Sequence, residues 1–416
     1  MSIEPFEVPS ISPERLALLK EKLKNAEYPN ELEKDVGWTY GAPRWAVEPL
    51  VKAWLNDYNW ETARAEMNRW HHYHVTIQGL RVHFIHEPSK SPDAIPLLLL
   101  NGWPSNFYEY HKVIEPLRDG ANGGQAFHVV IPSLPGYGFS EAPKLTGHNV
   151  SKNGEIIHEL MTAIGYNEYV THGSDWGSMI GKWIAQERSA HCKAYHTVMP
   201  LCLPPLPTPT HLFSHPLKVL KFLASISLGF DTVYGKGHVR LKGRSFADVE
   251  NDREAGYRGI QGTRPYTLAF GLTDSPVGLL AWMLEKFHNW TFHPSGSRDT
   301  VALPETISVD EFLTQVTIYW LTNTMSSSTR LYYEAFHDEK GMKDMMWNPV
   351  KIPTGVAYYP GEITKLAKEW LEASMNTVHY AEVSVGGHFP SLEVDELFVD
   401  DIQRFGKLIK TKKYIQ

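Results

Sequence analysis

An acidic residue stands where a strand gives way to a helix. Gly173-Ser174-Asp175-Trp176-Gly177 follows the apolar run 168–172 and precedes a helical pattern over about 177–188. Small–x–acid–x–small is the spacing of a nucleophile presented on a tight strand-to-helix bend. Flanking glycines let strand and helix pass closely. A carboxylate is already ionised at neutral pH and attacks without a base of its own. It suits displacement at an sp³ carbon, because the ester it forms can be hydrolysed afterwards. The competing reading is an aspartate capping a helix and gaining from its dipole. Ser174 is a rival nucleophile, but it is off-centre in the bend.

An ester on Asp175 needs a base to activate water. Gly386-Gly387-His388-Phe389-Pro390 closes the last strand pattern, and its glycines allow a sharp turn back over the sheet edge. The chain has 20 histidines, and most histidines are structural. His388 differs by following the final strand and by following the nucleophile in chain order. A base needs an orienting acid. Glu362, in Tyr359-Pro360-Gly361-Glu362, lies just after the preceding strand; its other reading is a capping acid for a helix over 363–373. The ester carbonyl needs two backbone donors. Trp176 follows the nucleophile, and Trp103 lies in the loop after the strand at 96–100.

These groups are positioned by a pattern of alternating elements. Ser12-Pro13 opens a helix carrying Leu16, Leu19 and Leu23, and residues 44–58 and 61–70 continue in helical style. Residues 1 to about 70 thus read as helical, with little β character. A hairpin is expected over 72–77 and 80–86, then strands at 96–100, 127–131, 168–172 and 195–198. Helices are expected between them at 105–117 and 149–164. After a proline-rich entry at 203–207, the stretch 201–345 reads as helical, with Ser275-Pro276 opening one clear helix. Alternation resumes with a strand at 354–359, a helix at 363–373, a strand at 377–385 and a final helix at 392–410. The expectation is an α/β fold, with a mostly parallel sheet, helices on both faces and a helical insertion between two strands. The expected divisions are an N-terminal region 1–90, core segments 91–200 and 346–416, and an inserted cap 201–345.

Bulk properties exclude several classes. With 416 residues, the chain is too long for one small core. A net charge of −7 offers no basic excess to replace phosphate counterions, so nucleic acid is not an expected partner. Two cysteines, Cys192 and Cys202, make no disulfide framework and are expected as free thiols. The N-terminus lacks the basic start and apolar stretch of a secretory signal. No uncharged apolar run reaches the ~20 residues of a membrane helix. A soluble, cytoplasmic protein is the expectation.

The motifs together resemble a known family. Asn101-Gly102-Trp103-Pro104, the bend at 173–177, Thr263-Arg264-Pro265, the run Thr273-Asp274-Ser275-Pro276-Val277-Gly278-Leu279 and the segment 386–390 are similar to those of microsomal-type epoxide hydrolases. The resemblance runs from about residue 4 to 410. It implies an α/β-hydrolase core with an N-terminal meander and a helical cap. It also implies two cap tyrosines that hydrogen-bond and protonate the epoxide oxygen; these fall on Tyr257 and Tyr332, with Tyr333 a close rival for the second. A phenol is a weak acid that can donate to a departing alkoxide. Two features depart from the family: Asn101 stands where histidine is usual, and the membrane anchor of microsomal members is missing.

The implied function is hydrolysis of a small apolar epoxide to a vicinal diol through an Asp175 ester, with water as the other reactant and no cofactor or metal. A homodimer stays open. The alternatives are a haloalkane dehalogenase, which shares the aspartate but needs halide-binding indoles, and a cyclase guiding the epoxide to an internal nucleophile. A non-catalytic binding protein on the same fold is the alternative outside the enzymes.

Overall fold

Backbone pairing gathers the strands into one sheet. The computed structural model describes residues 2–240 and 255–415. Its strands are β1 (Ile3–Phe6), β2 (His72–Ile77), β3 (Leu80–Glu87), β4 (Ile95–Leu100), β5 (Phe127–Pro132), β6 (Tyr169–Gly173), β7 (Cys192–Thr197), β8 (Val350–Tyr358) and β9 (Met375–Glu382). Among the described residues they form one sheet in the order β1-β2-β3-β5-β4-β6-β7-β8-β9. The run from β5 to β9 is parallel, and β1, β2 and β3 extend it antiparallel. Strand β4 is buried on both faces. Leu98 and Leu100 join one apolar cluster, and Leu97 and Leu99 join the other. That is the continuous apolar run expected of a strand covered by helices on both sides.

The described elements of the insertion between β7 and β8 are helices joined by loops. Ser275 caps the helix Pro276–Asn289 by accepting from Gly278 N at 3.0 Å. The N-terminal helices Pro13–Lys24 and Arg44–Asn56 pack against it, and Lys22 pairs with Asp274 at 2.7 Å. No single described helix is long and apolar enough to cross a membrane. Both cysteines are buried and free.

Three elements differ from the sequence expectation. The N-terminus is not helical throughout: Ile3–Phe6 pairs with β2, Ile3 opposite Val75. Such a short edge strand is made by its neighbour rather than by its own pattern, and an edge tolerates Pro5. The helix expected over 105–117 is a 3₁₀ turn, Phe107–Tyr110, followed by a short helix, Ile114–Asp119. Pro116 would collide with the carbonyl of residue 112 in a continuous helix. The helix expected from 363 begins only at Lys368. Lys365 is drawn into a bridge with Arg240, and Leu366 N donates to the Tyr358 hydroxyl at 2.9 Å. Glu362 therefore caps no helix.

A row of side chains ties the sheet to the last helix. His172, His196, Gly355 and His379 are register partners across β6 to β9. Asp401, on the helix Asp395–Thr411, accepts from His196 Nε2 at 2.9 Å and from His379 Nε2 at 2.7 Å. Burial pushes the Asp401 carboxyl up, but these hydrogen bonds and the histidine charges outweigh it and hold it well below the usual range. A carboxyl depressed in the fold stabilises it above the unfolded value of about 3.9, and that contribution is lost as pH falls through the folded value. Asp401→Ala is expected to destabilise the fold by about 3 kcal/mol at neutral pH. In urea titrations the gap to wild type should close as pH drops below about 4.

Candidate active site

The bend after β6 is built by close backbone passage. A Cβ on Gly177 would lie 2.1 Å from Leu100 O, and one on Gly173 would lie 2.2 Å from Gly177 O. Asp175 itself has φ +48°, a left-handed conformation that only a constrained bend imposes on a side-chain-bearing residue. Its carboxyl is buried, with Oδ1 accepting from Trp103 N at 2.8 Å. Trp176 N belongs to the first turn of the helix Asp175–Glu187, where a backbone donor has no acceptor within the helix. Of the two expected oxyanion donors, Trp103 N reaches the carboxyl, and Trp176 N follows Asp175 in the chain with no helical acceptor.

Gly102 brings the Trp103 loop into range. A Cβ there would sit 2.0 Å from Asp175 Oδ1. Gly102→Ala is expected to push the loop and carboxyl apart and lower kcat by about 100-fold, since ångström displacements cost that much. Steady-state rates with an unchanged far-UV spectrum would check this. Asn101 donates from its side-chain amide to Gly102 O at 3.1 Å, so the loop keeps a polar support.

The loops that carry His388 and Glu362 meet behind the carboxyl. His388 Nε2 lies 3.4 Å from Asp175 Oδ2, and Nδ1 lies 3.0 Å from each Glu362 oxygen. His388 and Glu362 are both fully buried, and Gly361 N donates to Gly386 O at 3.0 Å between their loops. Burial alone would lower the imidazole. The charge of Glu362 and the contacts with Asp175 and Glu362 prevail, holding it well above its ordinary value.

The two tyrosines face the same place from the insertion. Tyr257 lies on the helix Ala255–Thr263 and stacks on Trp103, with centroids 5.4 Å apart and planes at 11°. Tyr332 lies on Met325–Phe336, edge-on to Tyr257 at 5.7 Å and to Trp176 at 4.7 Å. Its hydroxyl is buried and interacts with Tyr257. Burial, then Tyr257 and Asp175, push that hydroxyl well above its usual range, so it stays protonated. Tyr333 is part-exposed and stacks on His337 at 3.9 Å, away from this group. The structure thus brings Asp175, His388, Glu362, Trp103, Trp176, Tyr257 and Tyr332 together and leaves Tyr333 out.

Sequence reasoning missed three neighbours. Glu109 is buried beside the site, accepts from Ser391 Oγ at 3.2 Å, and is raised by burial to about 7. Its signal was an acid inside the aromatic run Phe107-Tyr108-Glu109-Tyr110. Glu393 is also raised by burial to about 7. Lys286 Nζ lies 4.6 Å from the Tyr257 ring centroid. Neither of the last two carried a sequence signal.

A mostly parallel sheet with Asp175 on the bend after β6, and with Glu362 and His388 on the loops after β8 and β9, is an α/β-hydrolase fold. Known proteins agree. The family described as alpha/beta hydrolase fold matches residues 95–249, and that described as epoxide hydrolase N terminus matches residues 3–110. A putative epoxide hydrolase of Stigmatella aurantiaca is 33% identical over 417 residues, covering 99% of this chain and 86% of the relative. Epoxide hydrolase 1 of Sus scrofa is 33% identical, covering 98% and 89%. The crystal structure of juvenile hormone epoxide hydrolase from the silkworm Bombyx mori superposes with a TM-score of 0.86 at 30% identity, covering 99% and 96%. The chain belongs to the epoxide hydrolase family and is an epoxide hydrolase enzyme.

Proposed function

We propose that the chain hydrolyses an apolar epoxide in two steps through an ester on Asp175. The observation that carries this is the buried Asp175 carboxyl, held by Trp103 N on one side and facing His388 Nε2 on the other. In the first step an Asp175 oxygen attacks an epoxide carbon and the C–O bond of the ring breaks. Tyr257 and Tyr332 donate to the departing oxygen, and one phenol proton moves to it. The Lys286 ammonium over the Tyr257 ring favours the negative charge that builds there.

Esterification removes the charge of Asp175. His388 then loses part of what held its proton, gives that proton up to restore the phenol, and becomes a competent base. The imidazole, oriented by Glu362, takes a proton from water, and the hydroxide adds to the ester carbonyl. Trp103 N and Trp176 N receive the oxyanion. Collapse frees the diol and the carboxylate, and His388 keeps the proton taken from water, which returns it to its resting state. Epoxide and water go in, and a diol comes out.

Aromatic walls suit an apolar substrate. Trp103, Trp176, Tyr257, Tyr332 and Trp290 are all buried around the candidate groups. For dehalogenation the Trp103 indole is taken up by Met325 Sδ at 3.4 Å, which leaves the buried Trp176 indole to hold a halide, and chloride release from a haloalkane would support that alternative. Tyr332→Phe is expected to slow ester formation about 100-fold, and Tyr333→Phe to leave it unchanged; stopped-flow tryptophan fluorescence would measure both.

The deciding experiment is a single turnover in ¹⁸O-water with an aryl epoxide. The first diol should carry unlabelled oxygen from Asp175, and label should enter the carboxyl. Label in the first diol would mean direct hydration and end this reading.

A further inference from the structure

Glu393 lies five residues after His388, in the short helix Pro390–Glu393. Its Oε1 accepts from Gly387 N and Phe389 N, each at 3.1 Å, so one oxygen holds the backbone on both sides of His388. Its Oε2 accepts from Phe292 N at 2.8 Å, in the insertion. His388 N in turn donates to Trp290 O at 2.8 Å. A Cβ on Gly387 would sit 2.5 Å from Trp290 O, and one on Gly361 would sit 2.8 Å from Gly387 Cα. Three segments therefore meet backbone to backbone: the Glu362 loop, the His388 loop and Trp290–Phe292. Glu393 is the side chain that bonds two of them at once. The Trp290 ring lies 5.0 Å from His388 and 5.3 Å from Tyr257, next to both halves of the reaction.

We infer that Glu393 is a positioning residue, which fixes His388 for ester hydrolysis by fastening its loop to Trp290–Phe292 of the insertion. A carboxyl group is suited to this, because its two oxygens accept all three backbone donors. Glutamine would turn an N–H₂ group toward one of the three backbone donors and lose at least that bond. Aspartate keeps the charge, but one methylene less shortens its reach. The inference rests on His388 acting as the base.

The test compares two rates in one protein, so the fraction of active enzyme cancels. Stopped-flow fluorescence gives ester formation and quenched-flow gives ester decay, with an aryl epoxide as the probe. Glu393→Gln is expected to slow decay by about 10- to 100-fold, to leave formation within about threefold, and to accumulate the ester by intact mass. Glu393→Asp is expected to slow the same step, and it carries the test alone if the glutamine variant does not fold. An unchanged ratio of rates in either variant would overturn the inference. Wild-type decay in Glu393→Asp beside slow decay in Glu393→Gln would also overturn it, by assigning the effect to charge and not to reach. His388→Gln is the reference: no ester there ends the covalent reading itself. Ester there, with unchanged ratios at Glu393, ends only the inference about Glu393.

Discussion

Asp175→Asn is expected to lose diol formation by about 10⁴-fold or more, the scale on which removal of a covalent nucleophile registers. Asparagine isolates the chemistry. It tolerates the left-handed conformation seen at φ +48°, where alanine would add strain, and its amide oxygen can still accept from Trp103 N. Only the nucleophilic carboxylate is gone. The folded state should be preserved, so thermal unfolding near wild type with absent turnover is the expected pair of results. Should activity creep back, intact mass would show the amide returned to acid, because His388 beside it can activate water toward that carbonyl. Retention of a tenth of wild-type activity with the amide intact would remove Asp175 from the role proposed.

His388→Gln is expected to stop the reaction halfway. Ester formation proceeds, since Asp175 needs no base, while hydrolysis slows about 10³-fold, within the range of general-base contributions. The protein should gain the mass of one epoxide and release no burst of diol. Glutamine can still donate to Glu362, so the buried acid is not left alone. The resting imidazole is held protonated by Glu362 and Asp175 against the opposing effect of burial. It is freed to act only when Asp175 is esterified. In wild type, ester decay should therefore fall as pH drops through the imidazole value of the ester state, while ester formation holds to lower pH. Quenched-flow at several pH values separates the two, and parallel pH profiles would contradict the assignment.

The main elements were legible because their periodicity is local. The hairpin at 72–87, the doubly buried β4 and the helix after Ser275 each follow from residues within one short window. So did the bend at Asp175, since glycine–acid–glycine spacing is itself the geometric requirement. Illegible parts depended on partners far along the chain. Strand β1 exists through pairing with residues some 70 positions away, and residues 363–366 are held from helix by Arg240 and Tyr358. Glu362 and a capping acid look identical until that later helix start is seen. The tyrosines came only from family resemblance. Burial then separates Tyr332 from Tyr333, which no spacing could do. Glu393 was invisible because its three bonds go to backbone, and backbone has no sequence code.

The seam at Gly361, Gly387 and Trp290 bears on engineering. A chimaera that imports the helical region of a relative also imports a new main-chain edge for the histidine turn. Swaps made to broaden substrate scope will change turnover even when every reacting side chain is retained. A graft whose junctions leave residues 290–292 native keeps that edge and separates choice of substrate from the rate of ester hydrolysis.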